Sequence, residues 1–218
     1  MTVPIKDRNE AGRQLARALD SYRGRSDLLV LALPRGGVPV AVEVARALDA
    51  PLDLILARKL GTPGQPELAM GAVASGGAQV VNADIVAALG IADDELKAVV
   101  ERETRELERR EQAYRGARPR PAIAGKCVIL VDDGVATGAT VRAAVAALRS
   151  QQPARLVIAV PVAPPDTVER LRRDADEVIC PETPEPFIAI SRWYLDFPQL
   201  SDSDVRELLA QAWNNTQG

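Results

Sequence analysis

The stretch Val128-Ile129-Leu130-Val131-Asp132-Asp133-Gly134-Val135-Ala136-Thr137-Gly138-Ala139-Thr140 decides the fold. Its first four residues are apolar and β-favouring, and such a run predicts a strand buried on both faces, as in a parallel sheet. Two adjacent carboxylates follow, and a short loop then leads to a helical pattern from Val141. The loop is therefore expected at the carboxyl end of a strand, where open α/β sheets bind ligands.

The chemistry of this loop favours a sugar phosphate. Gly138 allows the backbone to approach a ligand closely, and Thr137 and Thr140 contribute hydroxyl groups. The free N–H groups at the start of the following helix favour an anion, whereas Asp132 and Asp133 suit the vicinal hydroxyls of a sugar. Together these groups predict a site for a ribose 5-phosphate. The alternative is an ordinary strand–turn–helix junction with acids at its exposed end.

The stretch resembles the loop that binds phosphoribosyl pyrophosphate (PRPP) in type I phosphoribosyltransferases. In that family an apolar strand is followed by two acids, a few variable residues and Thr-Gly-x-Thr/Ser. The resemblance implies that Asp132 and Asp133 orient the ribose hydroxyls and favour a cationic ribose during catalysis. It also implies that the 5-phosphate is held by a turn made of Ala136, Thr137, Gly138, Ala139 and Thr140.

A second apolar run, from Leu28 to Leu33, ends at Pro34-Arg35-Gly36-Gly37 and precedes another helical pattern. Arg35 offers a planar fork of donors, and the two glycines expose backbone N–H groups. This loop resembles the pyrophosphate loop of the same family, in which a non-proline cis peptide commonly directs N–H groups at the leaving group. Arg35, Gly36 and Gly37 are therefore expected to bind pyrophosphate. The alternative is a glycine turn between a strand and a helix.

A third apolar run, from Pro51 to Ala57, ends in Arg58 and Lys59. Both cations are expected to bind pyrophosphate, and Lys59 and Arg35 are expected to stabilise its departure. The alternative for Lys59 is a solvated side chain at a strand end. Residues 61–67 contain several Gly and Pro residues and predict a loop. Because the family's mobile catalytic loop follows the corresponding strand, residues 60–71 are expected to be a lid or the base of one.

A hairpin is predicted around Ser75–Ala78, and one long charged helix from Asp93 to about Arg115. The helix has a narrow apolar stripe, so a solvated helix packed along one edge is favoured over a contact in a homodimer.

Five of the seven aromatic residues lie between Phe187 and Trp213. Because purine enzymes of the family use a Phe on the base and an Asp near the metal, Phe187 and Ile188 become acceptor candidates and Asp196 a weak metal candidate.

The composition excludes several classes of protein. The 218 residues contain no histidine, so a Ser-His-Asp triad or a histidine-based metal site is excluded. The net charge of −3 favours neither nucleic acid nor a membrane surface as a partner. Cys127 and Cys180 do not make a secreted disulfide framework, and the N-terminus lacks an apolar signal core. A cytoplasmic protein is expected.

Strands that alternate with helices predict an α/β fold with a five-stranded, mainly parallel sheet flanked by helices and a small hood or lid insertion. A single domain over 1–218 is expected, with its core at about 25–59 and 122–180, an insertion at about 60–121 and a hood at about 181–218.

The resemblance implies a phosphoribosyltransferase that transfers 5-phosphoribosyl from PRPP to a nucleobase-like acceptor and releases pyrophosphate. Mg²⁺ is expected to bind through PRPP rather than in a cage of protein ligands. The alternatives are a non-catalytic PRPP- or nucleotide-binding regulator on the same fold, and a diphosphokinase, for which no ATP site is recognisable.

Overall fold

The computed structural model describes residues 4–215, in which helices and strands alternate along most of the chain. In chain order the elements are α1 (Arg8–Ala18), β1 (Leu28–Ala32), α2 (Gly37–Leu48), β2 (Leu52–Leu54), β3 (Ala57–Thr62), β4 (Gln65–Ala74), β5 (Ala78–Val81), α3 (Ala83–Ala88), α4 (Asp93–Arg115), β6 (Cys127–Val131), α5 (Ala139–Ser150), β7 (Arg155–Ala159), α6 (Pro165–Leu171), β8 (Glu177–Ile179) and α7 (Asp202–Asn215). The outermost residues of the predicted 1–218 domain, 1–3 and 216–218, lie outside the described part of the chain.

The main sheet confirms the predicted five-stranded parallel architecture. Its strand order is β2-β1-β6-β7-β8, and every neighbouring pair is parallel. All five residues of β1 and all five of β6 are buried, as their unbroken apolar sequences predict. Side chains of each strand alternate between two apolar layers. One layer lies under α1, α2 and α7, and the other lies under α5 and α6.

The strand order reverses between β1 and β6. From β1 the chain continues outward to β2, whereas from β6 it continues in the opposite direction to β7 and β8. Such a switch point opens a crevice between the two loops at the carboxyl ends of the strands. The two loops singled out in the sequence follow β1 and β6, so the topology brings them together.

The insertion differs from the prediction. The third apolar run was expected to be one strand over 51–57, but β2 ends at Leu54 and a separate strand, β3, begins at Ala57. The loop predicted for residues 61–67 is wrong, because β3 and β4 form an antiparallel hairpin there and β5 extends it to three strands. Leu60 and Met70 are fully buried, and a register shift next to Leu60 interrupts the alternation that marks a strand in sequence. The hairpin predicted around Ser75–Ala78 is confirmed as β4 and β5.

The long charged helix is confirmed as α4, with the predicted bounds. Val99, Leu107 and Tyr114 form its buried apolar face. Near its end, Arg115 lies 2.7 Å from Asp53 of β2 in a buried ion pair. This pair fastens α4 to the edge of the main sheet. Within residues 4–215, none of the helices has both the length and the apolar character needed to cross a membrane.

Candidate functional site

Two loops meet at the switch point of the sheet. The predicted PRPP loop (residues 132–140) follows β6, and the predicted pyrophosphate loop (residues 34–37) follows β1. They touch directly, since a Cβ atom added to Gly36 would lie 2.0 Å from Oδ2 of Asp133. A Cβ on Gly37 would lie 2.7 Å from the carbonyl oxygen of Val131. Only glycine allows this approach at either position, which explains the Gly-Gly pair in physical terms.

The peptide bond between Pro34 and Arg35 is cis, as the resemblance to the family's pyrophosphate loop implies. The predicted PRPP loop is held by its neighbours on the far side. The N–H of Val135 donates to the carbonyl oxygen of Val162 at 2.9 Å, and the hydroxyl of Thr167 donates to the carbonyl oxygen of Ala136 at 2.8 Å. Contacts from the β7–α6 segment therefore fix the shape of this loop.

The end of the predicted PRPP loop opens to solvent. Gly138 has a φ of +79° and caps the twelve-residue helix α5. Thr137, Ala139 and Thr140 are exposed and, with the rest of this turn, line a hollow of about 170 Å³. Exposed hydroxyls and a helix start suit an anion. The structure thus brings all five predicted phosphate-turn residues together around one hollow, which Ile190 closes from the tail of the chain.

The two adjacent acids have different surroundings. Asp132 is half-buried and lines the hollow. Asp133 is only 8% exposed, and its Oδ2 atom accepts a hydrogen bond of 2.7 Å from Nε of Arg8. The main-chain carbonyl of Asp133 also accepts a hydrogen bond of 2.6 Å from the hydroxyl of Tyr194. The Asp133 carboxylate is therefore engaged by the protein itself.

Arg8 was not recognised in the sequence as part of the site. Besides Asp133, it donates to the carbonyl oxygen of Pro198 at 2.8 Å, and its guanidinium lies 3.8 Å from the centre of the Phe197 ring. Arg8 is the first residue of α1, so a contact from the N-terminal helix joins the central loop to the C-terminal tail. Arg8 and Asp133 are 125 residues apart, and no local pattern signals the pairing.

Burial raises the pKa of both acids of the predicted PRPP loop. For Asp133, hydrogen bonding and charge from Arg8 oppose this rise. Burial raises the pKa of Asp132 well above its ordinary value, and the negative charge of Asp133 raises it further. Asp132 therefore takes up a proton more readily than an exposed aspartate does.

A cavity of about 880 Å³ opens at the same end of the sheet. Arg58 and Lys59 of β3 line it, together with Pro34 of the predicted pyrophosphate loop and Thr137 and Thr140 of the phosphate turn. The structure thus brings the predicted cations of β3 to the two loops. Arg58 also pairs with Glu103 of α4 at 2.6 Å.

Arg35 does not line this cavity. Its side chain is exposed and lies 3.8 Å from Asp202 at the start of α7. It lines a separate hollow together with Arg8 and Phe197. The structure therefore does not bring Arg35 and Lys59 together, although the sequence predicts a shared role for them.

Helix α4 forms a wall of the large cavity, which the sequence reasoning missed. The cavity-lining residues of this helix are Val99, Arg102, Glu103, Leu107 and Arg110. The spacing of Val99, Glu103 and Leu107 is four residues, so they share one helix face. This periodicity, with a carboxylate between two apolar positions, is the sequence signal that could have found the wall.

The tail contacts the predicted PRPP loop through a residue other than the predicted one. A Cβ atom on Gly134 would lie 2.7 Å from Cγ2 of Ile190. Phe187 is instead half-buried and stacks on Trp193, with ring centres 6.3 Å apart. Ile188 is 77% exposed. Asp196 is exposed, and its backbone N–H donates to the carbonyl oxygen of Lys6.

Among residues 4–215, no group of three or more His, Cys, Asp or Glu is arranged to hold a metal ion. Asp132 lines the hollow of the phosphate turn and presents an oxygen ligand of the kind that Mg²⁺ prefers. Asp132 therefore fits Mg²⁺ as one oxygen ligand.

A parallel sheet flanked by helices, with two loops that meet at its switch point, defines an α/β protein of the doubly wound class. Residues 5–197 match the model of the phosphoribosyl transferase domain, and the chain belongs to this family. It is 45% identical over 206 residues to a Mycobacterium tuberculosis (strain CDC 1551 / Oshkosh) protein named "Putative phosphoribosyl transferase MT0597". That match covers 94% of this chain and 46% of the relative, so the chain spans about half the length of the curated relatives it matches.

Among solved structures, the chain is similar to the protein TT1426 from Thermus thermophilus. The two superpose with a TM-score of 0.86 at 45% sequence identity. The match covers 96% of this chain and 99% of TT1426.

Proposed function

We propose that this chain transfers the 5-phosphoribosyl group of PRPP to a nucleobase-like acceptor and releases pyrophosphate. The observation that carries the proposal is the large cavity, in which the phosphate turn at Thr137 and Thr140 and the cations Arg58 and Lys59 share one lining. PRPP has a phosphate at one end, a pyrophosphate at the other and ribose hydroxyls between them. The turn and the cations of this cavity, with Asp132 in the hollow on the other side of the turn, match these three parts in kind.

In the proposed reaction the bond between the anomeric carbon and pyrophosphate breaks, and a ring nitrogen of the acceptor bonds to that carbon. The proton of that nitrogen leaves with a base or with solvent. Arg58 and Lys59 stabilise the charge that grows on pyrophosphate. The N–H of Gly37, a predicted pyrophosphate ligand, instead donates to the carbonyl oxygen of Leu33 at 3.1 Å. The turn at residues 136–140 holds the 5-phosphate and keeps the ribose in place.

The different surroundings of the two acids support different roles. Asp132 lines the hollow, so we assign it the contact with the ribose hydroxyls. The carboxylate of Asp133 is paired with Arg8 and lies against Gly36, so we assign it to positioning the two loops. Asp132 is the residue that would help to hold Mg²⁺, and the ion would supply charge neutralisation for the pyrophosphate.

The deciding experiment is incubation with PRPP, Mg²⁺ and a panel of purine and pyrimidine bases, with pyrophosphate release as the readout. We expect release with at least one base, and we expect Asp132→Asn to reduce it about tenfold or more, because a charged acceptor is lost. Mass spectrometry of the nucleotide product identifies the acceptor. PRPP binding without release for any base would contradict the transferase proposal.

A non-catalytic regulator that binds PRPP or a nucleotide is the second candidate. The observation that favours it is the pairing of the Asp133 carboxylate with Arg8, which leaves Asp132 as the acid that lines the hollow. A regulator would bind PRPP with the same dependence on Asp132 but release no pyrophosphate. For the transferase proposal, we place the chain in cytoplasmic nucleobase salvage.

A further inference from the structure

The inner face of α4, which is the face that lines the large cavity, carries charged side chains that belong to neither predicted loop. The large cavity is lined by four cationic side chains and one carboxylate. Two of the cations, Arg58 and Lys59, come from β3. The other two, Arg102 and Arg110, come from α4 and belong to no motif recognised in the sequence.

The carboxylates nearby do not neutralise these arginines one for one. Glu103 accepts from Arg58 at 2.6 Å and from Arg102 at 3.0 Å. Burial would raise the pKa of Glu103, but its hydrogen bonds from the two arginines hold it below its ordinary value. Two guanidinium groups therefore share one negative charge at this end of the wall.

The same arrangement occurs further along the helix. Glu106 accepts from Arg109 at 2.9 Å and from Arg110 at 2.8 Å. Hydrogen bonds from Arg109 and Arg110 lower the pKa of Glu106 to about 2, so it stays ionised at neutral pH. Arg110 lines the cavity, whereas Arg109 does not. The pair thus leaves positive charge in excess where the helix faces the cavity.

The spacing of the two arginines suits an extended anion. Eight residues separate Arg102 from Arg110, which is about 12 Å along a helix axis. Their positions differ by about 80° around the helix. Both side chains line the cavity, although both also remain exposed to solvent. Long side chains that start this far apart can approach two linked phosphates from opposite ends. A single phosphate would meet only one of them.

We propose that the inner face of α4 is a pyrophosphate-binding wall in which Arg102 and Arg110 contact the diphosphate group of the ligand. The proposal rests on the proposed function for the identity of that ligand as the leaving group of PRPP. Negative charge grows on the diphosphate as the bond to the anomeric carbon breaks, so both arginines stabilise the transition state more than the bound substrate. Helix α4 then binds the ligand directly, in addition to packing against β3 and β4.

Calorimetric titration with magnesium pyrophosphate tests the wall without turnover. We expect Arg102→Gln and Arg110→Gln each to raise the dissociation constant about fivefold or more. Arg109→Gln is the matched control, because Arg109 is on the same helix and donates to the same carboxylate but lies outside the cavity lining. It should change the dissociation constant less than about twofold. Orthophosphate should bind more weakly than pyrophosphate to the unmodified chain and should lose less affinity in the variants.

The outcomes separate this proposal from the transferase proposal. Equal losses in Arg110→Gln and Arg109→Gln, or no pyrophosphate binding by the unmodified chain, would overturn the wall. A loss of pyrophosphate affinity in Arg110→Gln but not in Arg109→Gln would support the wall. That support would hold even if no base accepted phosphoribose, because the absence of transfer would count only against the transferase proposal. If thermal unfolding shows that a Gln variant is misfolded, Arg110→Lys replaces it. This variant keeps the charge and should retain part of the pyrophosphate affinity. Full pyrophosphate affinity in every folded variant would contradict the wall.

Discussion

At the scale of single residues, the contact between Arg8 and Asp133 joins three parts of the chain. Arg8 begins α1, Asp133 belongs to the central loop, and the ring of Phe197 comes from the tail. Both side chains of the ion pair are about one-tenth exposed. In such a pair, the loss of one partner leaves the other charge buried without compensation.

We expect Arg8→Met to destabilise the protein by about 3 kcal/mol, because it leaves the Asp133 carboxylate buried without its partner. Denaturant unfolding measures this change. Arg23→Met is the matched control, since the ion pair of Arg23 with Asp20 is largely exposed, and it should have little effect. If Arg8→Met and Arg23→Met had the same free energy of unfolding within error, the buried ion pair would contribute no more to stability than the exposed one.

The raised pKa of Asp132 makes stability depend on pH. In the folded chain this acid keeps its proton above its ordinary pKa of 3.8, whereas in the unfolded chain it loses the proton near that value. Between these two pKa values the unfolded state binds fewer protons than the folded state. The contribution of Asp132 to the unfolding free energy therefore falls as the pH rises. Below pH 3.8 both states are protonated, and the contribution is fully present.

We therefore expect the unfolding free energy of the unmodified chain, minus that of Asp132→Asn, to decrease as the pH rises from about 4 toward neutrality. The decrease should be about 1.4 kcal/mol for each unit by which folding raises the pKa. Urea unfolding at a series of pH values gives both curves. Parallel curves for the two proteins would mean that Asp132 titrates as it does in the unfolded chain.

At the scale of the elements, the sequence predicts the main sheet well because β1 and β6 are buried on both faces and carry unbroken apolar runs. It predicts α4 to the residue because charged pairs at helical spacing continue over 23 residues. The hairpin of β3 and β4 is missed because Gly and Pro residues hide a strand whose register shifts next to Leu60. Tertiary pairing there overrides local preference.

The candidate site is predictable to the extent that it is local. Both anion-suited loops are continuous in sequence, and the topology places them side by side at the switch point. The engagement of Asp133 by Arg8 and Tyr194 depends on packing between distant segments, which no spacing encodes. The direction of the Arg35 side chain, toward Asp202, likewise follows from where α7 docks.

The hairpin changes the expectation for a lid over residues 60–71. Because β3 and β4 are hydrogen-bonded, only the turn near Pro63 and Gly64, which lines the large cavity, should exchange amide hydrogens rapidly without ligand. We expect PRPP with Mg²⁺ to slow exchange in the segment that contains this turn. Hydrogen exchange with mass spectrometry measures it, and the β4–β5 turn at Gly76, outside the lining of that cavity, is the internal control. Equal exchange at residues 61–65 in both states would rule out a lid at this hairpin.

At the scale of the whole molecule, the C-terminal tail contacts both the start of the described chain and the edge strand β2. The backbone of Ile5 pairs with Trp193 and Leu195, and the indole N–H of Trp213 donates to the carbonyl oxygen of Leu52 at 2.9 Å. The tail therefore closes the sheet and also brings Ile190 to the hollow of the phosphate turn. Phe187 packs on Trp193 within this tail, so its first role is to support the segment that carries Ile190.

The choice of acceptor is the property that this whole arrangement should determine. Hypoxanthine-guanine enzymes of the family carry an Asp at the loop position that Ala136 occupies, where it handles a proton of the purine. The side chain of Ala136 has no such group, and this exposed residue lines the hollow of the phosphate turn. We expect guanine and hypoxanthine to react at least about tenfold more slowly than the best base, the loss typical of a missing proton-transfer group being about 10²–10⁴. Values of kcat/KM across the panel measure this, and Ala136→Asp should raise the values for guanine and hypoxanthine relative to those for the other bases. Efficient turnover of guanine by the unmodified chain would contradict the role given to this position.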